Sequence, residues 1–156
     1  MPSLRALLFL TAVLTGVSLL LGRSSTAHAQ TLTWVLDPGL DADTRERIMG
    51  QTSDLPFTLW TTPAAPQAPR AAEQGDPLAR ATRLAGESGA RVVVWTTGRE
   101  GGLEVTIVDL AGRRVLVREV SFGDAQEHSA ALESVGLIVR SALQALADGG
   151  EIGVAT

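Results

Sequence analysis

Three β-type runs follow one another between residues 91 and 120, and no other pattern in the chain restricts the fold as much. Arg91–Thr97 (RVVVWTT) holds four consecutive apolar residues, the mark of a central strand buried on both faces. Leu103–Leu110 (LEVTIVDL) alternates, with Leu103, Val105 and Ile107 on one side. Arg114–Val120 (RVLVREV) puts Val115 and Val117 on one side. The connections, Gly98–Gly102 and Ala111–Arg113, are turns, so the runs predict an antiparallel meander.

A long helix is predicted after the meander, from Asp124 to Ala147. Asp124 and Glu127 form a capping-box-like pair at its start, and Gly149-Gly150 ends it. Val135, Ile138, Ala142 and Ala145 share one face, with Leu132, Val139, Leu143 and Leu146 beside it. The polar stripe is narrow: Glu133, Gly136, Arg140 and Gln144. So much apolar circumference exceeds what one sheet covers, and the remainder is expected to meet other helices or a partner. Glu151–Thr156 reads as a frayed tail.

The first half is thinner in pattern. Thr31–Asp37 reads as a short strand closed by Asp37-Pro38-Gly39. Leu40–Gly50 reads as a weak helix, with Asp43 and Glu46 as a capping pair and Gly50 as its stop. Leu55–Thr62 is a second strand, with Phe57 and Leu59 on one face, Trp60 on the other, and Pro56 placing it near an edge. Pro63, Pro66 and Pro69 mark an extended loop over 62–76. Asp76 then caps a helix with Pro77 in its first turn; Leu78, Ala81, Leu84 and Ala85 form its apolar stripe, and Gly89 ends it. The order β-α-β-α-β-β-β-α predicts an α+β fold (mixed α/β), with helices packed on a mixed sheet of about five strands.

The N-terminus is read as an address. Residues 6–21 (ALLFLTAVLTGVSLLL) carry no charge, follow Arg5, and precede Ala27-His28-Ala29-Gln30. Small residues at Ala27 and Ala29 suit a signal peptidase cutting before Gln30. The run spans about 24 Å as a helix, short of a bilayer core, so a retained membrane anchor is the alternative to cleavage. Residues 30–150 are then a single domain, with 151–156 as its tail. Without residues 1–29 the chain keeps 11 arginines against 17 acids, a net charge of −6 compared with −4 for the whole sequence. Lysine and cysteine are absent. The lack of cysteine excludes disulfides, thiolate metal sites, a Cys nucleophile and a lipid anchor on an N-terminal Cys. The acidic balance argues against nucleic acid as a partner.

Residues 76–147 also have a familiar order. A helix ending Leu84-Ala85-Gly86-Glu87-Ser88-Gly89-Ala90 runs into Val92-Val93-Val94-Trp95. Leu103–Asp109, Ala111-Gly112-Arg113, Val115–Val120 and the long Ala/Leu helix follow. This resembles the TolB N-terminal-like domain, with relatives in curli-secretion lipoproteins and in periplasmic activators of penicillin-binding proteins. The family lipoproteins carry an N-terminal Cys that this chain lacks, and the Pro-rich loop stands where the family packs regular structure. The resemblance implies a non-enzymatic periplasmic module that works by protein contact, and it carries over no catalytic residue.

The residues themselves yield little chemistry. His128 follows Asp124 by one helical turn, with Ser121 and Ser129 near, but no G-x-S-x-G presents a nucleophile. Asp37, Asp41 and Asp43 lack the spacing of a Ca²⁺ loop, and turn and cap roles account for them. Gly98, Gly101 and Gly102 precede a strand rather than a helix, so they form a hairpin turn and not a phosphate cradle. No catalytic, cofactor or metal site is expected. Trp34, Trp60 and Trp95 all fall on strands, where tryptophan serves either a core or a binding hot spot. Trp34 and Trp60, with Arg140 and Gln144 on the last helix, are the candidate partner contacts. The expectation is an exported, non-enzymatic periplasmic adaptor or accessory subunit of a cell-envelope assembly or transport system. The alternative is a periplasmic module that binds a small ligand or glycan.

Overall fold

The structure, a computed structural model, describes residues 32–37, 39–60 and 75–156. The expected signal segment with Ala27, Ala29 and Gln30, and residues 62–74 of the Pro-rich loop, lie outside the described residues. In chain order the elements are β1 (Leu32–Leu36), α1 (Ala42–Thr52), β2 (Phe57–Trp60), α2 (Pro77–Ala85), β3 (Val92–Arg99), β4 (Gly102–Asp109), β5 (Arg114–Ser121), α3 (Ala125–Ala147) and β6 (Val154–Ala155).

One six-stranded mixed sheet runs β2-β1-β3-β4-β5-β6. β1 lies parallel to both β2 and β3, and the rest is antiparallel. The architecture is therefore α+β, as the element order predicts, with one strand more than expected. That strand, β6, falls in the segment read as a tail. Ile152 is buried, and Val154 and Ala155 pair with Val115 and Arg114.

The two parallel crossovers run in opposite directions, the first from β1 out to β2 and the second from β2 back past β1 to β3. With both right-handed, they set α1 and α2 on opposite faces of the sheet. The packing agrees: α1 lies against α3, α3 against β4 and β5, and α2 against β1, β3 and β4. Period-2 alternation then sorts the strand side chains. Trp34, Leu36, Val94, Ile107 and Leu116 face α1 and α3, whereas Val35, Val93, Trp95 and Val108 face α2. β3 sits at the centre, with Val92, Val93 and Val94 fully buried, as its four-residue apolar run requires.

Local signals explain most element ends. Asp76 caps α2 by accepting from Leu78 N (3.0 Å) and Ala79 N (3.1 Å), with Pro77 in the first turn where its missing N–H costs nothing. A 3₁₀ turn over Gly86–Ser88 and left-handed Gly89 close this helix. α1 corrects its expected cap: Asp41, not Asp43, accepts from Thr44 N at 2.8 Å, and the helix runs through Gly50 to Thr52. The β3–β4 turn is tighter than expected. Gly98 and Arg99 still pair with Leu103 and Gly102, which leaves Glu100-Gly101 as a two-residue loop.

α3 holds the largest departure. Its stripe of Glu133, Gly136 and Arg140 faces α1, with Gly136 buried and the two charged side chains partly exposed at the rim of the contact. Arg47 and Gln51 bond Glu133, and Arg140 reaches Asp54 and the Gln51 carbonyl. Gly136 lets the helices close: a Cβ there would meet Gln51 Cγ at 2.8 Å and Arg47 O at 3.3 Å. Glu127–Ala147 is apolar and long enough to cross a membrane by composition. Here that apolarity is spent on burying Leu132, Val135, Val139, Leu143 and Leu146.

Candidate interaction surfaces

The four candidate contact residues separate by burial and pairing. Trp34 is 2 % exposed and belongs to the core beside Val92, which removes it from any surface. Its neighbours in sequence could not reveal this, because a five-residue strand buried on both faces and one buried on a single face read alike. Trp60 is 49 % exposed at the end of β2, the outermost strand. Arg140 is engaged within the fold, where it donates to both carboxylate oxygens of Asp54 and holds that carboxyl down at about 2. Gln144 is exposed and donates to Asp148 one turn later. Of the four, Trp60 alone offers a large apolar face to solvent.

Trp95 is buried and roofed by the Arg80 guanidinium, 4.6 Å from the ring centroid. Arg80 in turn donates to Asp37 Oδ2 at 2.7 Å, at the carboxyl end of β1, while Asp37 Oδ1 accepts from Gly39 N. This cluster ties α2 to the β1 turn. It gives Asp37 a structural partner, as the cap gives one to Asp41. Burial opposes ionisation of Asp41, but hydrogen bonds from the Thr44 hydroxyl and N–H outweigh it and leave the carboxyl below its usual range. No group of three His, Asp or Glu side chains placed to hold a metal occurs among the described residues.

His128 packs edge-on against Phe122, ring centroids 4.6 Å apart, and lines an open groove of about 600 Å³ between α1 and α3. Ser129, Glu46 and Gln51 share that groove. Asp43, Glu46 and Glu133 are the carboxylates that line it, and Glu133 is held by Arg47 and Gln51.

The sheet ends differ in a way the sequence did not signal. β2 is a four-residue edge that no other described strand covers, and its Thr58 and Trp60 are exposed. At the other end β6 pairs only with Arg114 and Val115, so β5 continues past it as an open edge from Leu116 to Ser121. Below that stretch a groove of about 430 Å³ runs between β5 and α3, with Leu116, Leu137, Ile138 and Ile152 in its lining and the charged Arg118 and Glu151 among them. Leu137 is 50 % exposed beside it. No family model, curated protein or solved structure matches the chain.

Proposed function

We infer that the protein is an exported, non-enzymatic adaptor or accessory subunit that works by protein contact in a cell-envelope assembly or transport system. The observation that carries this reading is a sheet that, among the described residues, is open at both edges. One edge carries a half-exposed tryptophan and the other a strand that runs beyond its short neighbour above that groove. Open edges present unpaired N–H and C=O groups with which an added strand can pair. The signal-like N-terminus supports export to the periplasm, and the element order of residues 76–147 supports kinship with TolB N-terminal-like modules. A second reading, a periplasmic glycan- or small-ligand-binding module, draws on the exposed Trp60 ring, a face on which a sugar stacks.

Sequencing the N-terminus of the protein recovered from the envelope tests export: the reading expects Gln30, and a chain starting at Met1 or Pro2 contradicts cleavage. Crosslinking in intact cells tests contact: the adaptor captures a defined envelope protein, and a strictly monomeric, uncaptured chain contradicts it. Trp60 fluorescence that shifts with soluble glycans while crosslinks are absent favours the second reading.

A further inference from the structure

The open β5 edge has a definite polarity. Thr156 N donates to Arg113 O at 3.1 Å, so Arg113 points its backbone groups toward β6. Alternation then turns the N–H and C=O of Val115, Val117, Glu119 and Ser121 outward, and those of the even-numbered residues toward β4. β6 occupies the first of these positions. Its approach is so close that a Cβ on Gly153 would lie 1.9 Å from Val115 O, and Gly153 adopts φ +55° there. Val117, Glu119 and Ser121 remain without a strand among the described residues. In the free protein Arg118 Nη1 covers one of the exposed carbonyls, donating to Val117 O at 3.1 Å.

Charge selects what can pair there. Glu119 lies opposite Glu104 on β4. Glu104 is neutralised by Arg99 at 2.5 Å, whereas Glu119 has no cationic partner among the described residues. Like charges facing across strands destabilise a ladder, so a cation arriving from the open side is favoured. A second copy of this chain does not supply it. Twofold pairing of β5 centred on Arg118 sets Arg118 against itself, centring on Glu119 sets Glu119 against itself, and centring on Val120 joins only three residues. The chain also contains no lysine.

Resting on the adaptor reading, we propose that residues Val117–Ser121 of β5 accept an extended segment of a different protein as an added strand, with apolar residues over the α3 groove and Lys or Arg opposite Glu119. The partner's backbone replaces Arg118 at the Val117 carbonyl. Its groove-side residues meet Leu137 and Ile138, and its basic residue sits on the α2 side beside Glu119.

The test is selection of a displayed library of random ten-residue peptides on the full-length exported protein and on its Glu119→Arg variant. Retained far-ultraviolet dichroism and melting temperature establish that the variant folds. Wild type is expected to enrich sequences alternating apolar residues with one Lys or Arg, and the variant to enrich Asp or Glu at that place. A Lys-to-Glu change in the best peptide is expected to weaken binding to wild type about fivefold. Amide exchange with that peptide bound is expected to slow at Val117, Glu119 and Ser121. No enrichment, the same charge enriched on both proteins, or protection confined to β2 overturns the proposal. If the proposal fails while intact-cell crosslinks from Trp60 persist, the adaptor reading stands without strand addition at β5.

Discussion

Asp109 shows how one buried charge organises the sheet. It is 2 % exposed and receives Arg91 Nε at 2.9 Å, Arg91 Nη2 at 3.2 Å and Ala111 N at 3.2 Å. Burial alone would raise its pKa. Hydrogen bonds from Arg91 and from the backbone of the following turn, with the Arg91 charge, outweigh that and hold the carboxyl below 3.8. Asp109 therefore stabilises the fold at neutral pH, and that contribution fades as pH falls below about 3.8 toward its lower folded value. Asp109→Asn should cost about 2 kcal/mol at pH 7, because it strands a partly buried guanidinium. Urea midpoints followed from pH 7 to pH 2.5 should converge for the two proteins at the acid end. Two tryptophans give a second contrast. Trp34→Ala should lose about 3–5 kcal/mol as a core cavity. Trp60→Thr should change stability by less than about 1 kcal/mol, since half of the ring is already in water. Equal losses in denaturant titrations would place Trp60 in the core and count against its edge role.

At the scale of elements, the α1–α3 contact carries the least expected result. Gly136 sits where any side chain would press on Arg47 O and Gln51, so Gly136→Val should destabilise by about 2 kcal/mol despite the better helix propensity of valine. A rise in the denaturation midpoint would mean that the helices are not so close. Asp76→Ala removes a cap that satisfies two N–H groups and should cost about 1 kcal/mol, read as a lower melting temperature.

These elements also show what the sequence could reveal. Strong periodicity made β3, β4 and α3 readable, because each buries a continuous apolar face, and alternation made β5 readable although of its residues only Val115 is buried and Val117 is exposed. Asp76-Pro77 announced α2, since few residue pairs suit a helix start so well. The polar stripe of α3 misled for a physical reason: Glu133 and Arg140 satisfy partners on and just after α1, and a half-exposed ionic seam between helices has the same periodicity as a solvated face. Asp41 is the cap rather than Asp43 because its backbone is extended and the helix already begins at Ala42, two residues earlier than an Asp43 cap would start it. β6 was hidden because a two-residue strand has no period to read; its pairing with β5 makes it.

Across the whole molecule, the core is concentrated where β1, β3 and β4 meet α1, α2 and α3, and it thins toward both outer strands. The candidate surfaces follow from that gradient. Trp60 was legible as a tryptophan on an edge-like strand, but Trp34 was not distinguishable from it until the sheet order was known. The β5 edge was not legible at all, because it depends on how far β6 extends. On the proposed reading, a chain built this way meets its partners along its edges. The most direct measurement places a photo-crosslinking amino acid at Trp60, at Glu119 and, as a control on exposed α2, at Thr82, in intact cells. The account predicts a discrete adduct with an envelope protein from one or both edge positions and none from Thr82. No adduct from either edge, or the same adducts from all three positions, would contradict it.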